Sequence, residues 1–224
     1  MFSISYEVHT AVMSIQDLPL IIFQLIILLF SVVMHEVSHG FIAERLGDPT
    51  ARNLGRLTLN PLKHLDPFGS VILPLMLTVF HSGIIFGWAK PVPFDPRNLK
   101  HPERDSALIA AAGPLSNIAI AAIFGLVYRF MGLAAWNSSV LGPAADLMAL
   151  VVILNCVLAI FNLLPIPPLD GSKILFMVLP QSASSVRFFL ERYGFFVLVA
   201  LMFFGGLEFL GPFVFGLASF FLGA

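Results

Sequence analysis

Five stretches of this chain, residues 18–39, 68–88, 106–131, 146–164 and 193–222, are apolar almost throughout. Each runs to about 20 residues or more, the length a helix needs to cross the hydrocarbon of a bilayer. In lipid every backbone amide must find its partner within the protein, which leaves helices and closed barrels as the spanning forms. Runs this long and this uniformly apolar imply an all-α polytopic membrane protein, a helical bundle forming one integral domain over residues 1–224. Only 11% of residues are charged, against about 25% in a soluble domain. The last run is interrupted by Gly205, Gly206, Glu208 and Pro212, so it reads either as one long span or as a span followed by a shorter returning helix. Residues 1–19 carry no lysine or arginine, so they lack the basic start of a cleaved signal peptide, and residue 18 onward reads as a permanent span.

Basic residues set the orientation of such a bundle. They gather in 40–67 (Arg45, Arg52, Arg56, Lys63), in 89–105 (Lys90, Arg97, Lys100, Arg104) and after the fourth run (Lys173, Arg187, Arg192). These segments are expected on the cytosolic side, with the N-terminus and the 132–145 loop outside. Arg129, near an outer end, is expected to snorkel. If 40–67 and 89–105 are both cytosolic, the run at 68–88 cannot cross once. It would dip in and return, with Pro74, His81 and Gly83 as breaks; otherwise it spans and the charge rule fails there. A net charge of −1 offers no basic surface for nucleic acid, and the single cysteine, Cys156, excludes an intrachain disulfide.

Against this apolar background the stretch HEVSH, residues 35–39, is unusual, because ionisable groups on a span are costly and point to function. Histidines four apart lie on one helix face, about 5–6 Å apart at Cβ, so both rings can reach one metal ion. Glu36, beside the first histidine, can polarise a metal-bound water as general base. A catalytic zinc takes three protein ligands and keeps one position open. His9, His64, Asp66, His81, His101 and Asp170 are candidates for the third. Asp170 stands out: Pro165, Pro167 and Pro168 end the fourth apolar helix just before it, and Gly171 permits a sharp turn after it. The charge-derived topology then brings His35, His39 and Asp170 to one depth.

Three separated motifs, HEVSHG at 35–40, AAGPLSN at 111–117 and NLLPIPPLDG at 162–171, are similar to those of the site-2 proteases, the intramembrane zinc metalloproteases. The segments GDPTARNLGRLTLNPLKHLDPFGS and FGWAKPVPFDPRNL resemble the compact bacterial branch without a PDZ domain. The resemblance covers about residues 18–193. It implies one Zn2+ per chain held by His35, His39 and Asp170, with Glu36 activating the water. It also implies that Asn162 helps to hold the substrate or the developing oxyanion, unless its amide merely bonds a neighbouring helix. Gly113, Pro114 and Asn117 are expected to serve helix packing.

The expected partner is a transmembrane protein substrate within the lipid bilayer. The expected location is the cell membrane, multi-pass, with the active site toward the cytosol. In GRLTLNP, residues 55–61, apolar and polar residues alternate, which predicts a short β element near the active site that could pair with an unwound substrate. A membrane metal carrier using the same three ligands is the alternative function, and a scaffold without catalysis is a third. Glu36 argues for the protease, since a carrier needs no water-activating carboxylate. Carriers also often show paired repeats, and the sequence has no internal repeat.

Overall fold

The structure, a computed structural model, describes residues 18–66, 69, 72, 76, 90–136, 138 and 141–223. Among the described residues seven α-helices follow in chain order: α1 (Leu18–Arg45), α2 (Thr50–Asn53), α3 (Pro102–Trp136), α4 (Leu141–Asn162), α5 (Gly171–Val178), α6 (Ser184–Phe203) and α7 (Leu210–Leu222). Three are long and apolar enough to cross a membrane, over Ile22–Arg45, Pro102–Gly132 and Leu141–Asn162. Their outward faces carry Ile22, Phe30, Leu115, Ile123 and Phe130, all exposed. Lipid, not water, is the medium that tolerates such surfaces.

The expected 68–88 segment, whether re-entrant or crossing, lies outside the described residues except for 69, 72 and 76, as do His9, Pro74, His81 and Gly83. The run expected at 193–222 is divided. Helix α6 ends at Phe203, a turn follows at 204–209, and α7 begins at Leu210. Glu208, exposed, stands in that turn rather than within a helix.

Helix α3 is the hub, packing against α1, α4, α5 and α7. Ala121, Val152, Cys156, Val214 and Ala218 bury the seam between α3, α4 and α7. These small and branched side chains let helices approach closely where no hydrophobic effect drives them together. A second cluster, Ala43, Leu99 and Ile109, ties the end of α1 to the start of α3, and a third, Leu164, Leu169 and Leu198, ties the proline-rich turn to α6. Arg129 is exposed near the end of α3. Its guanidinium donates to the carbonyls of Phe220 and Phe221, the latter at 2.8 Å, capping the C-terminal end of α7.

The β element expected at 55–61 is not formed; among the described residues there is no strand. Local bonds consume the groups a strand would offer to a neighbour. Thr58 Oγ1 accepts from Asn60 N–H at 3.2 Å, and Asn60 Oδ1 accepts from Leu62 N–H at 3.1 Å. His64 Nε2 donates to the Thr58 carbonyl at 2.9 Å. The chain therefore turns into a short 3-10 helix at Pro61–Lys63.

Candidate metal centre

The site is assembled from stripes of residues four apart on facing helices. On α1, Ser31, His35 and His39 share one face; on α3, Ile109, Gly113 and Asn117 share another. Both imidazoles are buried, with ring centroids 4.6 Å apart and planes nearly perpendicular. They fit against α3 only because residue 113 has no side chain. A Cβ there would lie 2.5 Å from His35 Nε2 and from His39 Cε1 and Nε2.

The third group arrives from the turn after α4. Pro165, Pro167 and Pro168 forbid further helix, and the backbone doubles back so closely that a Cβ on Gly171 would overlap the carbonyls of Leu163 and Leu164. Asp170 thereby sits at the N-terminal end of α5, where the helix dipole favours a carboxylate. Its Oδ2 lies 3.0 Å from His35 Nε2 and 3.3 Å from His39 Nε2. This oxygen is buried and has no other hydrogen-bond partner. A tetrahedral ion with bonds of about 2.0–2.1 Å separates its ligand atoms by about 3.3 Å, so the donor set and its spacing fit Zn2+. No other such trio of histidine, cysteine or carboxylate side chains occurs among the described residues.

The far side of each ring is also held. His39 Nδ1 donates to the Ile109 carbonyl at 2.7 Å, and His35 Nδ1 lies 2.6 Å from Asn117 Oδ1. Asn117, expected to be a packing residue, is fully buried against a candidate ligand. The available signal was an asparagine inside an apolar helix, where a polar side chain needs a partner.

Glu36 points to the same space. Its Oε2 accepts the Val92 N–H at 2.8 Å. The extended segment that presents this N–H is pinned at both ends. Arg56 donates to the carbonyls of Lys90 and Pro91 at 3.0 and 3.2 Å. Asp48, fully buried at the corner after α1, accepts from Asp95 N–H and Asn98 Nδ2, both at 2.7 Å. Burial raises the proton affinity of Asp48, but bonds from Thr50, Asn98 and the Asp95 and Thr50 backbone outweigh it, so its pKa falls below the ordinary carboxyl value. Arg97 similarly pulls Asp95 down to about 2.

A cavity of about 690 Å3 opens beside the trio. Val32, Phe94, Leu158, Phe161 and Phe195 wall it, and Glu36 and Asn162 face into it. Asn162 Nδ2 donates to Leu158 O at 2.9 Å, within its own helix rather than across to a neighbour. His64, Asp66 and His101 do not join the trio. His64 is buried against Thr58, Asp66 Oδ1 accepts Gly69 N–H at 2.6 Å, and His101 is exposed at the start of α3.

Comparison with known proteins gives the same chemistry. Residues 131–205 match peptidase family M50. The chain is 40% identical over 190 residues to YwhC of Bacillus subtilis, covering 82% of this chain and 81% of that protein. It is 29% identical over 187 residues to Rip2 of Mycolicibacterium smegmatis, covering 78% of this chain and 64% of Rip2. It is also 29% identical over 147 residues to Rip2 of Mycobacterium tuberculosis, covering 64% and 52%. Each relative is named as a candidate zinc metalloprotease. No solved structure matches the chain.

Proposed function

The chain belongs to peptidase family M50, the site-2 type of zinc metalloprotease, and from that premise we propose that it cuts a peptide bond in or near a transmembrane segment of another membrane protein. His35, His39 and Asp170 would hold the ion, which would supply a Lewis acid for the scissile carbonyl and lower the pKa of a water to about 7. Glu36 takes the proton from the attacking water and returns it to the leaving amide nitrogen. The Val92 N–H fixes one oxygen of that carboxylate, leaving the other to work. Asn162 has a second N–H beyond the one given to Leu158. That N–H donates to the developing oxyanion, a contact that stabilises charge where it forms.

The observation that carries this reading is the apolar cavity: Glu36 and the three ligand groups share it, and its walls suit a stretch of lipid-facing chain. The distribution of arginine and lysine supports a multi-pass protein whose active site opens toward the cytosol. Purified protein and a single-span model substrate test the proposal, comparing wild type with Glu36→Gln and measuring bound zinc in both. The expected result is cleavage by wild type and at least a ~100-fold loss in the variant, which keeps its zinc. Undiminished cleavage by Glu36→Gln would remove Glu36 from the mechanism. Zinc binding by both with no cleavage of several substrates would overturn the protease reading.

A further inference from the structure

The two histidines differ in how their rings are oriented. A backbone carbonyl can only accept, so the bond from His39 to Ile109 O forces the proton onto Nδ1 and leaves Nε2 as a lone pair. The partner of His35 is an amide side chain, which can accept with one end or donate with the other. Turned the wrong way, Asn117 would offer N–H to His35 Nδ1, favour the tautomer protonated at Nε2, and spoil the ligand.

What turns Asn117 lies deeper in the bundle. Its Nδ2 donates to Asn155 Oδ1 at 3.0 Å and, at 3.4 Å, to the Ser31 carbonyl. Asn155, on α4, uses its own Nδ2 to donate to Val151 O at 2.9 Å and to Ser31 Oγ at 3.0 Å. Ser31, Asn117 and Asn155 are all buried, the two asparagines completely. Val151 O is an acceptor and nothing else. It therefore fixes which end of Asn155 faces it, which end faces Asn117, and in turn which end of Asn117 meets His35. Every donor in this chain points away from the metal centre and every acceptor toward it.

We propose that Asn155 is a positioning residue for the zinc centre, acting through Asn117 to hold His35 in its ligand tautomer. The inference rests on the metal-centre reading of His35, His39 and Asp170. A carboxylate at position 117 presents two equivalent acceptor oxygens, and it accepts from His35 Nδ1 whichever way it turns. Asn155 should then have nothing left to specify.

The test is zinc affinity by chelator competition on detergent-purified protein, each variant first shown monodisperse, for wild type, Asn155→Leu, Asn117→Asp and the double variant. Asn155→Leu alone should weaken zinc binding about 10–100-fold, the range for losing an outer partner of a ligand. The same substitution made on Asn117→Asp removes an acceptor that faces the second carboxylate oxygen, so it should leave zinc affinity unchanged or raise it. Equal losses in both backgrounds would reduce Asn155 to packing and overturn the proposal, as would an unchanged Asn155→Leu single variant. Should Asn155→Leu fail to fold, Asn155→Ala carries the same comparison. Wild-type protein without zinc affinity would refute the metal-centre reading itself, an outcome distinct from the other two.

Discussion

Adding one methyl group at position 113 should weaken zinc binding at the proposed metal centre. In Gly113→Ala the new Cβ would stand 2.5 Å from His35 Nε2 and from two atoms of the His39 ring, where ordinary contact needs about 3.5 Å. The rings would have to retreat by about 1 Å. Neither is free to do so, because His39 is tied to the Ile109 carbonyl at 2.7 Å and His35 to Asn117 at 2.6 Å. Either those bonds break or α1 and α3 move apart. A misplacement of about 1 Å at a working site costs about 100-fold, which is about 2.7 kcal/mol of zinc affinity. Chelator competition measures it directly. Gly125→Ala is the control, since a Cβ there meets Phe221 at 2.8 Å, an insult to the same helix on its contact with α7. Gly113→Ala should lose zinc while Gly125→Ala loses only thermal stability. Zinc affinity within about threefold of wild type in Gly113→Ala would refute the close approach of Gly113 to the ligands.

Two further outcomes follow from groups outside the metal centre. Asp48 has a folded-state pKa below its unfolded value, so its contribution is present above the ordinary carboxyl pKa of about 3.9 and is lost as pH falls through the lowered folded value. Asn at this position turns a donor toward at least one donor and should destabilise by about 1–3 kcal/mol at neutral pH; the gap in melting temperature from wild type should close on acidification, and a gap constant with pH would be the contrary result. Arg129→Ala uncaps α7, which should cost about 0.3–1 kcal/mol and show as faster proteolysis after residue 210; an unchanged cleavage pattern would mean that the α7 end is held by packing alone.

The fold was legible where residues act locally. Uniform apolar runs define α1, α3 and α4, since a helix in lipid needs only its own backbone. Pro165, Pro167, Pro168 and Gly171 disclosed a turn, and that turn delivers Asp170 to His35 and His39. What stayed hidden depended on partners distant in sequence. Asn117 read as packing because its contact lies across an interface, 82 residues away at His35. Asn155 gave no motif at all, and the role of Val92 lies in a backbone N–H that any residue but proline would supply. The alternation at 55–61 misled for a related reason: period two marks a strand only when another strand is there to pair with it, and here Thr58, Asn60 and His64 close the bonds locally.

The contrast between the supports of His35 and His39 bears on how this centre can change over generations. The acceptor behind His39 is a main-chain carbonyl, present whatever side chain residue 109 carries, so no single codon change can delete it. The acceptor behind His35 is encoded, residue by residue, in side chains on two helices. One half of the centre is thus inherited with the fold, and the other is exposed to drift. Descendants that alter their metal or lose it should differ first around His35.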